Sequence, residues 1–241
     1  MNNYIFVLSF GRTGSTLVTS LIKEQVNSNS FSQEINFEKV LLLIYQFKTN
    51  SITKELFLKE INNYISTVKE FHISKKTDKQ ITHPHYNNVN ANGRIFLKQL
   101  DNPFHRLINV IMRNIFGKDN KISGCKILIE NESASLENKF TSINTQNVLE
   151  IIKCFDNNPN IRFVYNYRDY EKMTISRGVK GFTHVISKET YLFYINLVHS
   201  NQIPYIYYDN LFETMQKFIT EIGYRFEKKK YDMVVHKRHS Y

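Results

Sequence analysis

The sequence predicts an α/β protein in which a central, mostly parallel sheet is flanked by helices on both faces, a three-layer sandwich. Three observations carry that expectation. Tyr4–Ser9 and Ile161–Tyr167 are near-continuous apolar runs rich in β-branched and aromatic residues, the pattern of strands covered on both faces. Such runs alternate with stretches whose apolar residues recur at helical spacing, as parallel strands joined by crossover helices require. A chain of 241 residues with 41% hydrophobic and 14% aromatic content buries roughly 70–75% of its unfolded surface, so its core needs neither disulfides nor metal.

The elements follow in order. After the first strand comes a small-residue loop, Gly11–Thr16, and then Leu17, Val18, Leu21, Ile22 and Val26 at helical spacing. A linker carrying Gln33 and Glu34 leads into two amphipathic helices, Phe37–Phe47 and Thr53–Phe71. Ser74–Gly93 contains Lys75, Lys76, His83, Pro84, His85 and several Asn; it has no periodicity and reads as a loop or lid. Arg94–Leu100 reads as a short strand, and Pro103–Phe116 as a helix with proline near its first turn. Lys121–Glu130 is strand-like, Thr145–Phe155 helical and Ile161–Tyr167 a strand. Asp169–Arg177, Lys188–His199 and Leu211–Ile222 read as helices, with Ile203–Tyr208 a short strand before the last. No repeat and no Pro/Gly-rich linker divides the chain, so residues 1–241 read as one domain.

Charge narrows the partners. Lys plus Arg number 32 and Asp plus Glu 22, a net +10 at pH 7, which favours nucleic acid, a membrane surface or a phosphate- or sulfate-bearing ligand. No nucleic-acid-binding motif and no stacking-platform pattern of aromatics accompanies it. Cys125 and Cys154 are too few for a disulfide framework or a metal motif, and their apolar surroundings suit buried thiols in a reducing compartment. No apolar run approaches the ~20 residues of a membrane span. Tyr4–Phe10 lacks a basic leader and a small-residue cleavage site. The expected location is cytoplasmic. The basic tail, from Lys228, Lys229 and Lys230 to Lys237 and Arg238, is a candidate for peripheral membrane contact or for a gate. Aromatics expected on the exposed faces of the Phe37–Phe71 helices would allow a homodimer.

The loop after the first strand is the strongest local signal. A glycine-containing turn from a strand into a helix presents free backbone N–H groups and the positive end of the helix dipole to an anion. Gly11 and Gly14 permit close backbone approach, Arg12 supplies charge, and Thr13, Ser15 and Thr16 add hydroxyls. The loop has no Gly-Lys pair, so it is not a Walker A loop. Nor is it a G-x-G-x-x-G dinucleotide fingerprint.

Phe6-Val-Leu-Ser-Phe-Gly-Arg-Thr-Gly-Ser-Thr-Leu17 resembles the 5′-phosphosulfate loop of sulfotransferases that use 3′-phosphoadenosine 5′-phosphosulfate, a P-loop-like strand–loop–helix unit. Those enzymes also carry a 3′-phosphate segment, a strand ending in Arg with a Ser eight residues on. Phe163-Val-Tyr-Asn-Tyr-Arg168 followed by Ser176 is similar to it. Ile203–Leu211 resembles the late Y-E-D-L segment of the family, with Asp209 in place of Glu, and Ile122–Lys126 resembles its G-x-K strand. The resemblance spans most of the chain on about fifteen specific residues. It implies binding of the donor by Arg12, Thr13, Gly14, Ser15, Thr16, Arg168 and Ser176, with no metal demanded. Residues 37–120 match nothing in the family pattern and fall where acceptor recognition is expected.

Sulfuryl transfer by in-line attack asks the protein to position two reactants and to neutralise charge on the leaving group, with a base in reach of the acceptor proton. The resemblance gives Arg12 the leaving-group role. Glu34, just after the loop–helix unit, is the favoured base, with His83 and His85 as rivals; Lys98 and Lys126 are further charge stabilisers or ordinary strand-end lysines. The implied acceptor is a hydroxyl or amine of a carbohydrate, glycolipid or small metabolite. Two other readings remain: a P-loop-like nucleotide-dependent phosphotransferase, and a non-catalytic basic protein binding nucleic acid or anionic lipid.

Overall fold

Alternate side chains of the first strand enter two different cores. The computed structural model describes residues 3–28, 30–32, 37–77, 93–117, 122–129, 148–155, 158–179 and 186–239. In β1 (Asn3–Ser9), Tyr4, Phe6 and Leu8 join one buried cluster, while Ile5 and Val7 join another on the opposite face. A strand with both faces buried cannot alternate apolar with polar residues, which explains the unbroken apolar run.

The strands are β1, β2 (Ser30–Ser32), β3 (Ile122–Leu128), β4 (Ile161–Tyr167) and β5 (Tyr205–Tyr207). They form one five-stranded sheet in the order β2-β3-β1-β4-β5, every neighbouring pair parallel. On one face lie α1 (Ser15–Gln25), α8 (Leu211–Glu221) and α9 (Lys228–His239), whose apolar residues surround Ile5, Val7 and Val164. The other face is covered by α2 (Glu38–Lys48), α3 (Lys54–Thr77), α4 (Phe104–Phe116), α5 (Val148–Lys153) and α7 (Lys188–Ser200). α6 (Tyr170–Val179) adds Met173 to that larger core. The expected three-layer α/β sandwich is what the chain forms.

Several elements differ from expectation. Arg94–Leu100 is not a strand but an extended stretch ending in a 3-10 turn at Leu97–Gln99. Its backbone finds partners in amide side chains instead of a ladder: Asn62 Nδ2 donates to the Ile95 carbonyl (2.9 Å), the Ile95 N–H donates to Asn62 Oδ1 (2.8 Å), and the Phe96 N–H donates to Gln99 Oε1 (2.7 Å). α3 runs to Thr77, beyond the Phe71 end expected from its apolar pattern.

The basic tail is helical from Lys228 and docked rather than loose. Gln25 Nε2 donates to the Glu227 carbonyl and the Glu227 N–H donates back to Gln25 Oε1, both at 2.9 Å, while Tyr231, Val234 and Val235 pack on the α1–α8 core. Those three positions have helical spacing, masked in the sequence by the lysines around them. Several aromatics of this region are interior: Phe37 and Phe57 are fully buried, and Phe47 stacks on Phe57 at 4.5 Å. Among the described residues no helix is long and apolar enough to cross a membrane.

Candidate functional site

Parallel register places the two sequence motifs side by side. Ser9, the last residue of β1, lies opposite Asn166 in β4, so the loop at 10–14 and the Arg168–Asp169 turn emerge from adjacent strand ends. The chain leaves β1 through α1 on one face and leaves β4 through α6 and α7 on the other. Diverging connections of this kind open a crevice at the carboxyl ends of the strands, where α/β sheets bind ligands.

The loop has a fixed shape. Arg12 (φ 71°) and Gly14 (φ 80°) both adopt left-handed backbone. Gly14 is the position that demands glycine: a Cβ there would stand 2.0 Å from the Tyr208 ring. Thr13 is fully buried, and its Oγ1 donates to the Phe10 carbonyl at 2.9 Å. Asn166 Nδ2 reaches across from β4 and donates to both the Thr13 carbonyl (3.1 Å) and Oγ1 (2.9 Å). Arg177, on α6, donates from Nη1 to the Gly11 carbonyl at 3.2 Å. The N–H groups of Leu17 and Val18 both bond the Gly14 carbonyl, no side chain caps α1, and no acid stands in its first turn. Ser15 and Thr16 thus open the first turn of α1, at the positive end of its dipole.

The second motif closes on the first through Tyr208, which lies between them. The Arg168 guanidinium sits over the Tyr208 ring at 4.9 Å, and its Nε is 4.0 Å from Asp209 Oδ1. Asp209 ties this corner together, accepting from the Asp169 N–H (2.9 Å) and from Lys172 Nζ (2.8 Å). Burial works to raise the Asp209 carboxyl, but the Lys172 hydrogen bond, the Asp169 N–H and the charges of Lys172 and Arg168 outweigh it and hold the carboxyl below its ordinary value. The Tyr191 hydroxyl donates to the Arg168 carbonyl at 2.6 Å. Burial pushes the Tyr167 phenol up to about 12 and the Tyr191 phenol higher still. These phenols are hydrogen-bond donors at neutral pH, not bases.

The structure therefore gathers Arg12, Thr13, Gly14, Ser15 and Thr16 at one strand end and Arg168 at the next, with half-buried Ser176 beside Arg177 on α6. It also reassigns Thr13, whose hydroxyl is engaged inside the protein and shapes the loop. Glu34, His83 and His85 lie outside the described residues. Lys98 sits on the exposed 3-10 turn, whereas Lys126 is an interior residue of β3, buried opposite Val7 rather than at a strand end. Asn166, Arg177 and Tyr208 are the participants that sequence reasoning missed. Asn166 alone left a signal, as an amide inside an apolar strand.

Polar atoms at this edge have unmet capacity. Ser9 Oγ, Arg12 Nε, Asn166 Oδ1 and Arg168 Nε are each buried with no hydrogen-bond partner among the described residues. A buried unpaired polar atom costs about 1–3 kcal/mol. Four of them at neighbouring strand ends mark a place where a ligand would supply partners. No group of three His, Cys, Asp or Glu side chains able to hold a metal occurs among the described residues. Comparison of the chain with protein-family models, curated proteins and solved structures finds no match.

Proposed function

We propose that this protein is a sulfotransferase that uses 3′-phosphoadenosine 5′-phosphosulfate and sulfonates a hydroxyl or amine of a carbohydrate, lipid or small metabolite. The observation that supports it most is the convergence of two guanidiniums, Arg12 and Arg168, each with a buried Nε that has no hydrogen-bond partner among the described residues, on the crevice between β1 and β4. A donor with phosphates at both its 5′ and 3′ positions has two anionic ends to satisfy, and a guanidinium matches each.

In this reading the Ser15 and Thr16 N–H groups and Arg12 hold the 5′ end, and Arg168 and Ser176 hold the 3′-phosphate. Arg12 neutralises charge on the 5′-phosphate oxygen as the acceptor oxygen or nitrogen bonds to sulfur and the bridging S–O bond breaks. Glu34 remains the proposed base that takes the acceptor proton. Thr13, Asn166, Arg177 and Tyr208 act on the loop rather than on the donor.

A thermal-shift titration with 3′,5′-adenosine bisphosphate, beside 5′-AMP and ATP with Mg²⁺, tests the reading. At ~100 times its Kd a ligand stabilises by about 2.7 kcal/mol, roughly 5–10 °C for a domain of this size. A shift with the bisphosphate alone, lost in Arg168→Ala, is expected. A response to ATP with none to the bisphosphate would transfer the site to nucleotide-dependent phosphoryl transfer and sink the sulfotransferase reading.

A further inference from the structure

A second basic site lies at the other end of the sheet. A groove of about 660 Å³ is bounded by α3, α4 and residues 93–99, with Lys69, Arg94, Arg113, Phe96, Val110 and Asn114 in its wall. It is remote from the loop at 10–14. Phe116, one turn beyond Arg113, packs its ring on Tyr4 at 5.9 Å, near the start of β1. The loop begins after Ser9, five residues and roughly 16 Å further along the strand.

Three features make the groove more than a surface depression. Its volume falls within the roughly 300–1,000 Å³ of small-molecule sites. Among the described residues no Asp or Glu lines it, and Lys69, Arg94 and Arg113 form no ion pair. Its edge is also held in place. The Asn62 side chain pins Ile95 through both backbone groups, and Ile95 is buried. In extended backbone Arg94 and Phe96 then share the opposite, outward side. Phe96 is left 55% exposed near the Arg94 guanidinium. Gly93 (φ 90°) lets the chain lie against Asn114, where a Cβ would stand 2.5 Å from Asn114 Oδ1.

We propose that this groove binds a small organic anion, a planar or apolar body carrying a phosphate, sulfate or carboxylate. The body rests on Phe96 and Val110, and the charged group meets Arg94, Arg113 and Lys69. Guanidiniums favour such oxyanions and an exposed ring favours a flat body. The site is independent of the proposed donor site and stands whether or not that reading holds.

Calorimetric titration of the full chain with 2-naphthyl phosphate tests it, with 2-naphthol and inorganic phosphate as half-ligands. The naphthyl phosphate is expected to bind at least tenfold more tightly than either half. The double variant Arg94→Gln/Arg113→Gln should weaken it at least tenfold, and Phe96→Ala about fivefold. Arg168→Ala should leave it unchanged, which separates the groove from the donor site. Equal binding by the double variant, loss of binding in Arg168→Ala, or inorganic phosphate binding as tightly as the naphthyl ester would overturn the proposal. So would tighter binding of a random-sequence DNA oligonucleotide that the same substitutions abolish, since the groove would then belong to a polymer. Arg94 and Arg113 are exposed and form no ion pair among the described residues, so their replacement reads binding even if Phe96→Ala disturbs the fold.

Discussion

The two basic regions are built in opposite ways. At the crevice between β1 and β4 the cations are knitted into the fold: Arg177 holds the Gly11 carbonyl, and Arg168 lies on Tyr208 beside Asp209. In the groove by α4, Arg94, Arg113 and Lys69 extend, with no ion pair among the described residues, from a scaffold that neutral amides hold in place. In the first region binding groups and folding groups overlap; in the second they are separate. Damage to the crevice should therefore cost stability and ligand together, whereas damage to the groove should cost ligand alone.

Gly14→Ala should have the largest effect. A left-handed φ on a non-glycine residue costs about 1–3 kcal/mol, and the new methyl must also displace the Tyr208 ring, which covers Arg168. A fall in Tm of about 4–10 °C together with loss of the bisphosphate response is expected. An unchanged Tm would show that the ring yields freely and that the crevice is not braced by it.

Arg168→Ala should weaken 3′,5′-adenosine bisphosphate about 10- to 100-fold, the size of one or two charge-assisted hydrogen bonds, as read by calorimetry. Thr13→Ala removes the hydroxyl that Asn166 and the Phe10 carbonyl share, at about 1–3 kcal/mol by chemical denaturation, and Thr13→Ser should retain most of that. If Thr13→Ala instead abolished bisphosphate binding at unchanged stability, Thr13 would be a donor ligand rather than a brace.

Asp209 gives the crevice a pH signature. Its folded carboxyl is held below the ordinary value, so its contribution is complete above the unfolded carboxylate value of about 3.9 and is lost as pH falls through the lower folded value. Lys172→Met should move the acid-unfolding midpoint upward, followed by circular dichroism between roughly pH 5 and pH 2. Least of all, Arg113→Gln should change stability by no more than about 0.5 kcal/mol. A larger loss would mean that the groove, too, is tied into the fold.

The sequence displayed most of the large elements. Ile161–Tyr167 is a strand with the bounds its apolar run predicts, and α4 and α8 follow their periodicity closely. It failed where side chains stood in for regular backbone pairing, as at Ile95 with Asn62. It failed again at α9, where a docking stripe of three residues is outnumbered by charge.

By itself, the sequence determined the class of fold and the loop chemistry, because burial on both faces forces unbroken apolar strands and because glycine, arginine and hydroxyl residues before a helix are a local pattern. Strand order was decided only by the tertiary structure. That order sets Ser9 against Asn166, and with it Thr13 against Asn166, Gly11 against Arg177, and Tyr208 between Gly14 and Arg168. Residues more than 150 positions apart meet there because parallel strands start their loops side by side, and hydrophobic periodicity reports which face is buried without naming the neighbour across it.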